Sequence, residues 1–263
     1  MARAVGAKNP YLWPKINGFH TQGALDQALR HLKNDKIWYV TEKIDGSNIC
    51  LSTQGWIASR NNIIGMRGME TCKFQGVEIK KTDIERLFYQ MDNFKAKLKL
   101  VHLDNVEFEL LLYGELILRG TGSSAQDLYN YRKKNRNPGD FYCFGIGLVL
   151  PENISLPRIF KNGTLNKEGK ENCFLVPMSI HLSQLLTEFD IAHPAVIMSG
   201  RLCDILDDEK LVADIVGKEV EGYVLNGIEG EGLLKIKCIE NTLDNVQYRE
   251  RIVKVIKIIE KLN

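Results

Sequence analysis

The chain has 263 residues, 44% of them apolar and 26% charged, with a formal net charge of +2. That length can bury a full hydrophobic core, and the composition excludes disordered and fibrous classes. The small positive excess names no partner, because a basic patch acts locally and composition averages it away.

The start of the chain, Met1-Ala2-Arg3-Ala4-Val5-Gly6, carries no apolar signal core, and no apolar run approaches the length that spans a bilayer. A reducing, intracellular compartment, cytoplasmic by default, is the expectation, with no membrane association. Six cysteines, Cys50, Cys72, Cys143, Cys173, Cys203 and Cys238, form no C-x-x-C pair and are read as buried thiols.

In chain order, Leu25, Leu29 and Leu32 recur at helical spacing and predict a helix over 24–32. Ile37-Trp38-Tyr39-Val40 reads as a buried strand running straight into Thr41-Glu42-Lys43, which puts Lys43 at a strand end. Two further strand-like runs, Ile49-Cys50-Leu51-Ser52 and Trp56-Ile57-Ala58-Ser59, flank the hairpin turn Gln54-Gly55. That hairpin brings Lys43 and Arg60 to one end of a sheet. Thr82 followed by Glu85 predicts a capping box opening a helix through Tyr89.

Strands are predicted over 106–118 and 141–150, helices over 179–188 and 202–212, and strands again over 219–225 and 233–238. From Leu243 onward, Ile252, Val255, Ile256, Ile259 and Leu262 mark one face of a long helix studded with Lys254, Lys257 and Lys261, expected to pack back on the domain. Asn137-Pro138-Gly139 and Lys161-Asn162-Gly163 mark loops, and there is no internal repeat. Strands and helices mixed without strict alternation predict α+β layers. One domain over 1–242 and a helical tail over 243–263, with no separate C-terminal domain, is the expected division.

The most informative run is Lys43-Ile44-Asp45-Gly46-Ser47-Asn48, a lysine at a strand end with a carboxylate two residues on and a glycine after it. A lone K-x-D-G also describes a solvated turn. Here it is followed in order by Tyr113-Gly114-Glu115, Phe141-Tyr142-Cys143-Phe144, Glu221-Gly222-Tyr223-Val224 and Lys235-Ile236-Lys237. That series resembles the covalent nucleotidyltransferases: ATP-dependent DNA ligases, RNA ligases and mRNA capping enzymes.

The resemblance is closest to the RNA ligase 2 family. DNA ligases and capping enzymes usually carry arginine five residues after the lysine, where this chain has Asn48. Ser59-Arg60 follows the first hairpin, and Glu221-Gly222-Tyr223-Val224-Leu225 leads to Lys235-Ile236-Lys237-Cys238. The similarity spans 19–238 and is thin between 151 and 216. It implies a nucleotidyltransferase (ligase adenylylation) domain of antiparallel sheets flanked by helices, with the nucleotide pocket between the sheets. It also implies ATP as the source of a covalent AMP, Mg²⁺ or Mn²⁺ as the metal, and RNA ends, in nicked or bridged duplex, as the partner.

Part of the chemistry follows from the residues alone. A lysine near its reference pKa of about 10.4 is protonated at neutral pH and cannot attack phosphorus, so Lys43 needs a depressed pKa. Lys235 and Lys237 alternate on a strand and share a face, where two cations neutralise an α-phosphate and disfavour a third ammonium. Glu221 is the expected metal-side carboxylate, since a hard divalent cation takes oxygen ligands.

The resemblance adds Glu115 as the ribose-binding carboxylate, Phe144 as the aromatic stacked on adenine and Glu42 beside the adenine. It adds Asn48 and Arg60 as groups holding phosphate and the RNA 3′ end. In two places this chain departs from the family pattern: Asp45 stands where histidine is frequent, and Gly145 stands where aspartate often follows the stacking aromatic. Tyr131-Arg132-Lys133-Lys134-Asn135-Arg136 is the densest basic stretch, read equally as a phosphate-tracking loop or a solvated one. The five histidines show no metal spacing and receive no role.

The expected activity is therefore an ATP-dependent RNA ligase that forms lysyl-AMP on Lys43, transfers AMP to an RNA 5′-phosphate and joins it to a 3′-hydroxyl. Two alternatives stand beside it: a DNA ligase or mRNA-capping nucleotidyltransferase domain, and a noncatalytic nucleotide- or RNA-binding protein. Phage members of the family carry a separate C-terminal domain that engages nicked duplex, where this sequence has a short tail. Self-adenylylation is thus expected intact, with RNA engagement weak or dependent on an accessory protein.

Overall fold

The computed structural model describes residues 4–18, 21–32, 35–117, 139–160, 163–165, 172–208, 211, 222–227 and 232–237. A two-residue strand β1 (Asn17–Gly18) and helix α1 (Gln22–His31) lead into β2 (Ile37–Glu42), β3 (Ser47–Ser52), β4 (Trp56–Ser59) and β5 (Ile63–Met66). A hairpin, β6 (Thr71–Phe74) and β7 (Val77–Lys80), runs into the long helix α2 (Lys81–His102). Then come β8 (Glu109–Leu116), β9 (Phe141–Val149), β10 (Thr164–Leu165), β11 (Cys173–Pro177), α3 (Ile180–Glu188), β12 (Val196–Arg201), α4 (Leu202–Leu206), β13 (Gly222–Gly227) and β14 (Leu233–Lys237).

The strands form a five-stranded sheet, β1-β14-β13-β2-β12, and a seven-stranded sheet, β10-β11-β9-β8-β3-β4-β5, beside the small β6-β7 pair. Ladders within the two large sheets are antiparallel except β1 with β14. This is the α+β arrangement of antiparallel sheets and flanking helices that the sequence predicts.

Alternation along the strands decides the layers. In the five-stranded sheet Trp38, Val40, Leu225, Leu234 and Ile236 point outward and pack with Ala28 of α1, with Leu32 just beyond it, and with Leu202, Ile205 and Leu206 of α4. In the seven-stranded sheet Ile49, Leu51, Leu110, Leu112, Ile146 and Leu148 face Phe88, Met91, Phe94 and Leu98 of α2 and Leu182 and Leu186 of α3. The other face of that sheet presents Cys50, Trp56, Ala58, Leu111 and Tyr113, covered by Tyr11 and Trp13 from the N-terminal segment. The inner faces of the two sheets meet there.

Several local expectations are corrected. Helix α2 begins at Lys81 with Lys80 in the capping position and no side-chain cap, and it continues to His102. Glu85 accepts from the Gly68 amide at 2.9 Å and pairs with Arg67, so it is drawn away from the helix start. The helix runs past Tyr89 because Ile84, Phe88, Met91, Phe94 and Leu98 keep one buried stripe at helical spacing. Helix α4 ends at Leu206, where Asp207 takes the C-cap. Strands β11 and β12 were not expected. β12 is the edge of its sheet, and its half-buried and exposed residues leave a blunt alternation.

Cys50, Cys72, Cys143 and Cys173 are buried and Cys203 is half-buried. No helix among the described residues is long and apolar enough to cross a membrane. The predicted basic loop at Arg132 to Arg136, the tail from Leu243 and Cys238 lie outside the described residues.

Candidate functional site

Between the two sheets lies a cleft of about 280 Å³. The five-stranded sheet contributes Thr41 and Glu42 of β2, Val224 and Asn226 of β13, and Leu233 and Lys235 of β14. Asn48 of β3, Arg60 just beyond β4, Glu115 of β8 and Phe144 of β9 come from the seven-stranded sheet. Lys43 and Ile44, in the link from β2 to β3, join the walls, and Trp13, Pro14, Lys15 and Ile16 line one side. Among the described residues, the cleft is thus lined by four cationic residues, Lys15, Lys43, Arg60 and Lys235, and two acidic ones, Glu42 and Glu115. A cavity with that balance and low-dielectric walls favours an anionic ligand.

Register explains why these side chains meet. In the five-stranded sheet Thr41 pairs with Val224, and Val224 pairs with Lys235, so the three form one row across the ladder. The next row on the same face begins at Lys43, whose amide donates to the Gly222 carbonyl at 2.9 Å, and Gly222 pairs with Lys237. In the other sheet Asn48 lies opposite Glu115, and Arg60 follows Ser59, the partner of Ile49. Asn226 sits in the floor, 2% exposed, its amide donating to the Tyr39 carbonyl at 3.2 Å and the Thr41 hydroxyl at 3.4 Å. It ties β13 to β2 beside the row of Thr41, Val224 and Lys235.

Lys43 is half-buried, and its ammonium donates to the Ile44 carbonyl at 3.4 Å. The turn after it is constrained by glycine. A Cβ on Gly46 would stand 2.3 Å from the Leu116 carbonyl oxygen and 2.9 Å from Cγ of Glu115. The loop therefore runs flush against β8, beside the carboxylate of Glu115, and only glycine permits that approach. Asp45 is buried in the same turn.

Phe144 is placed by a bulge. Tyr113 pairs with Gly145 and Gly114 with Cys143, which leaves Phe144 as the extra residue in β9. Before the bulge Phe141 and Cys143 face the α2 side, and after it Ile146 and Leu148 do, so Phe144 is turned toward the cleft. Its ring meets Trp13 edge to face, at 5.1 Å and 68°. A Cβ on Gly145 would lie 2.2 Å from the Trp13 ring, so the indole occupies the space that an aspartate there would need. Burial pushes the neighbouring Cys143 thiol up to about 12 and raises Tyr113 well above the usual phenol range.

Of the residues singled out by sequence, Glu42, Lys43, Asn48, Arg60, Glu115, Phe144 and Lys235 share this cleft. Lys237 occupies β14 opposite Gly222, but its side chain, like Glu221 altogether, lies outside the described residues. Among the described residues no group of three or more His, Cys, Asp or Glu side chains forms a metal cage. Mg²⁺ and Mn²⁺ fit the donor set that is present, since Mg²⁺ commonly takes one or two carboxylates together with substrate phosphates, and Glu115 lies opposite Asn48 in the lining of the cleft. Sequence reasoning missed the N-terminal wall, Trp13 to Ile16, together with Thr41 and Asn226. Only the isolated Trp-Pro pair and an asparagine in an otherwise apolar strand signal them.

The RNA ligase family profile matches residues 36–239. No curated protein matches this sequence. Among solved structures, a variant of Naegleria gruberi RNA ligase with AMP and Mn is 14% identical, covering 95% of this chain and 61% of that one at a TM-score of 0.51. A second variant of that enzyme with AMP and Mn is 15% identical over 93% of this chain and 61% of that one, also at 0.51. An archaeal ATP-dependent RNA ligase is 12% identical over 94% of this chain and 64% of that one, at 0.42. The chain thus spans less than two thirds of the length of these proteins, and the likeness to the two Naegleria variants speaks to the fold. The family profile, extending over more than half the sequence and across both walls of the cleft, shows that this chain belongs to the RNA ligase family.

Proposed function

We propose that this protein is an ATP-dependent RNA ligase of the RNA ligase 2 type, with Lys43 as the nucleophile that takes up AMP. The observation that carries the reading is the convergence of Lys43, Lys235, Arg60, Glu42, Glu115 and Phe144 from two separate sheets on one cleft. Membership of the RNA ligase family and the AMP and Mn bound to the Naegleria enzyme variants support it.

In this reading the Lys43 amine, held at the end of β2, attacks the α-phosphorus of ATP in line and pyrophosphate leaves. Lys235 offsets charge on the phosphate and, as a neighbouring cation, favours the neutral amine of Lys43. Lys237 joins it from the adjacent row. Glu115 accepts from the ribose hydroxyls, Phe144 stacks on the base, and Glu42 lies beside it. Arg60 and Asn48 hold phosphate and the RNA 3′ end, tasks suited to a guanidinium fork and an amide. Glu221 is the residue that would hold a divalent cation at the phosphates, and that cation would supply Lewis-acid polarisation. AMP then passes to an RNA 5′-phosphate, and a 3′-hydroxyl displaces it to form the phosphodiester. RNA ends in nicked or bridged duplex are the substrate, with an accessory protein aiding engagement.

Mass spectrometry of protein incubated with ATP and Mg²⁺ or Mn²⁺ tests the first step. The expected result is a mass increase of one adenylate, absent in Lys43→Ala. A label taken up from GTP and not from ATP would point to capping chemistry, and no adduct with either nucleotide would point to a binding protein.

A further inference from the structure

Phe144 is the one residue of β9 that the ladder leaves over, and a side chain on a bulge depends on packing for its orientation. We propose that Trp13 is the positioning residue that supplies this packing, holding the Phe144 ring where a nucleoside base stacks and so setting the affinity of the cleft for the base of its nucleotide. The inference rests on the reading of the cleft as a nucleotide site.

Three observations meet on Trp13. Its indole is 6% exposed and contacts Phe144 edge to face at 5.1 Å, the geometry that aromatic quadrupoles favour. Its ring also rests on Tyr113 at 5.0 Å, and the Tyr113 hydroxyl donates to the Tyr11 carbonyl at 3.1 Å. The segment carrying the indole is thus pinned to β8, next to the bulge. Finally, the residue after Phe144 is glycine, and any side chain there would collide with the indole at 2.2 Å. The space beside the stacking ring is kept for Trp13. The indole Nε1 is buried with no hydrogen-bond partner among the described residues, so the indole serves here through its ring faces and edges.

Equilibrium binding by calorimetry tests this in the 263-residue chain carrying Lys43→Ala, which cannot form the covalent adduct. Trp13→Leu is expected to raise the Kd for ATP about threefold to tenfold, the size of one edge-to-face aromatic contact. Binding of inorganic triphosphate, which has no base, is expected to stay unchanged. Phe144→Leu weakens ATP binding as well, and adding Trp13→Leu to it produces no further loss, because the indole acts through the phenyl ring. Gly145→Ala keeps Trp13 but displaces it, and is expected to reproduce the rise in Kd; Trp13→Phe retains an aromatic edge and loses less than Trp13→Leu.

Additive losses in the double variant, or an unchanged ATP Kd in folded Trp13→Leu protein whose melting temperature has dropped, would reduce Trp13 to a core residue and overturn the proposal. Failure of the protein with Trp13 intact to bind ATP would sink the nucleotide reading of the cleft, and this inference with it.

Discussion

Single atoms decide how close Lys43 comes to Glu115. The turn after Lys43 leaves no room for a methyl group at Gly46, and the obstacle is the backbone carbonyl of Leu116, which cannot swing aside as a flexible side chain can. Gly46→Ala is therefore expected to cost about 1–3 kcal/mol in urea unfolding, the usual penalty of overpacking. Because relief of the clash moves the turn, adduct formation on Lys43 should also slow by roughly tenfold to a hundredfold. Wild-type stability together with wild-type adduct rate would show that the turn does not press on β8. Asn226 acts at the same scale with the opposite logic, because its amide satisfies buried acceptors on β2 and β13. Asn226→Leu should cost about 1–3 kcal/mol by leaving those acceptors unpaired, and a denaturation midpoint within error of wild type would contradict that account.

Among the elements, the two central helices start in different ways. Ser179 caps α3, its hydroxyl accepting from the Leu182 amide at 3.2 Å, whereas α2 continues directly out of β7 with no side-chain cap. Ser179→Ala should thus lower stability by about 1 kcal/mol. Thr82→Ala should change it by less than about 0.5 kcal/mol. Urea titrations of both variants compare them directly, and a Thr82→Ala loss as large as that of Ser179→Ala would restore the capping box. The bulge in β9 is the other element-scale device. It switches the core-facing residues from Cys143 to Ile146 and leaves Phe144 on the cleft side.

At the scale of the whole molecule, the packed interior ties stability to pH. Burial raises the Cys50, Cys72 and Cys143 thiols and the Tyr113 phenol, with Cys143 pushed up to about 12. Their folded-state pKa values exceed the unfolded ones, so the unfolded chain loses protons first as pH rises. The stabilisation is complete below the unfolded thiol range near 8.5 and is lost as pH climbs toward the folded values, at up to about 1.4 kcal/mol per pH unit for each group. Melting temperatures measured between pH 8 and 11 should fall steadily, and Cys143→Ala should flatten the slope. A flat wild-type profile through pH 11 would mean that these groups are not held neutral by burial.

The sequence of this protein was sufficient for the first helix to within two residues of its start, the β3-β4 hairpin, the strand end at Lys43, the α+β class, and Glu42, Lys43, Asn48, Arg60, Glu115, Phe144 and Lys235 in the cleft. Those features rest on local spacing and on motif residues that stand close together. Tertiary structure alone decided that β13 inserts between β2 and β14, which brings Lys235 into one row with Thr41, and that the N-terminal segment closes the cleft with Trp13. Period-two alternation tells which residues share a face of a strand and says nothing about which distant strand lies beside it. Strand neighbours, the bulge at Phe144 and the indole over Gly145 arise from pairing and packing between segments remote in the chain, where no local pattern carries the signal.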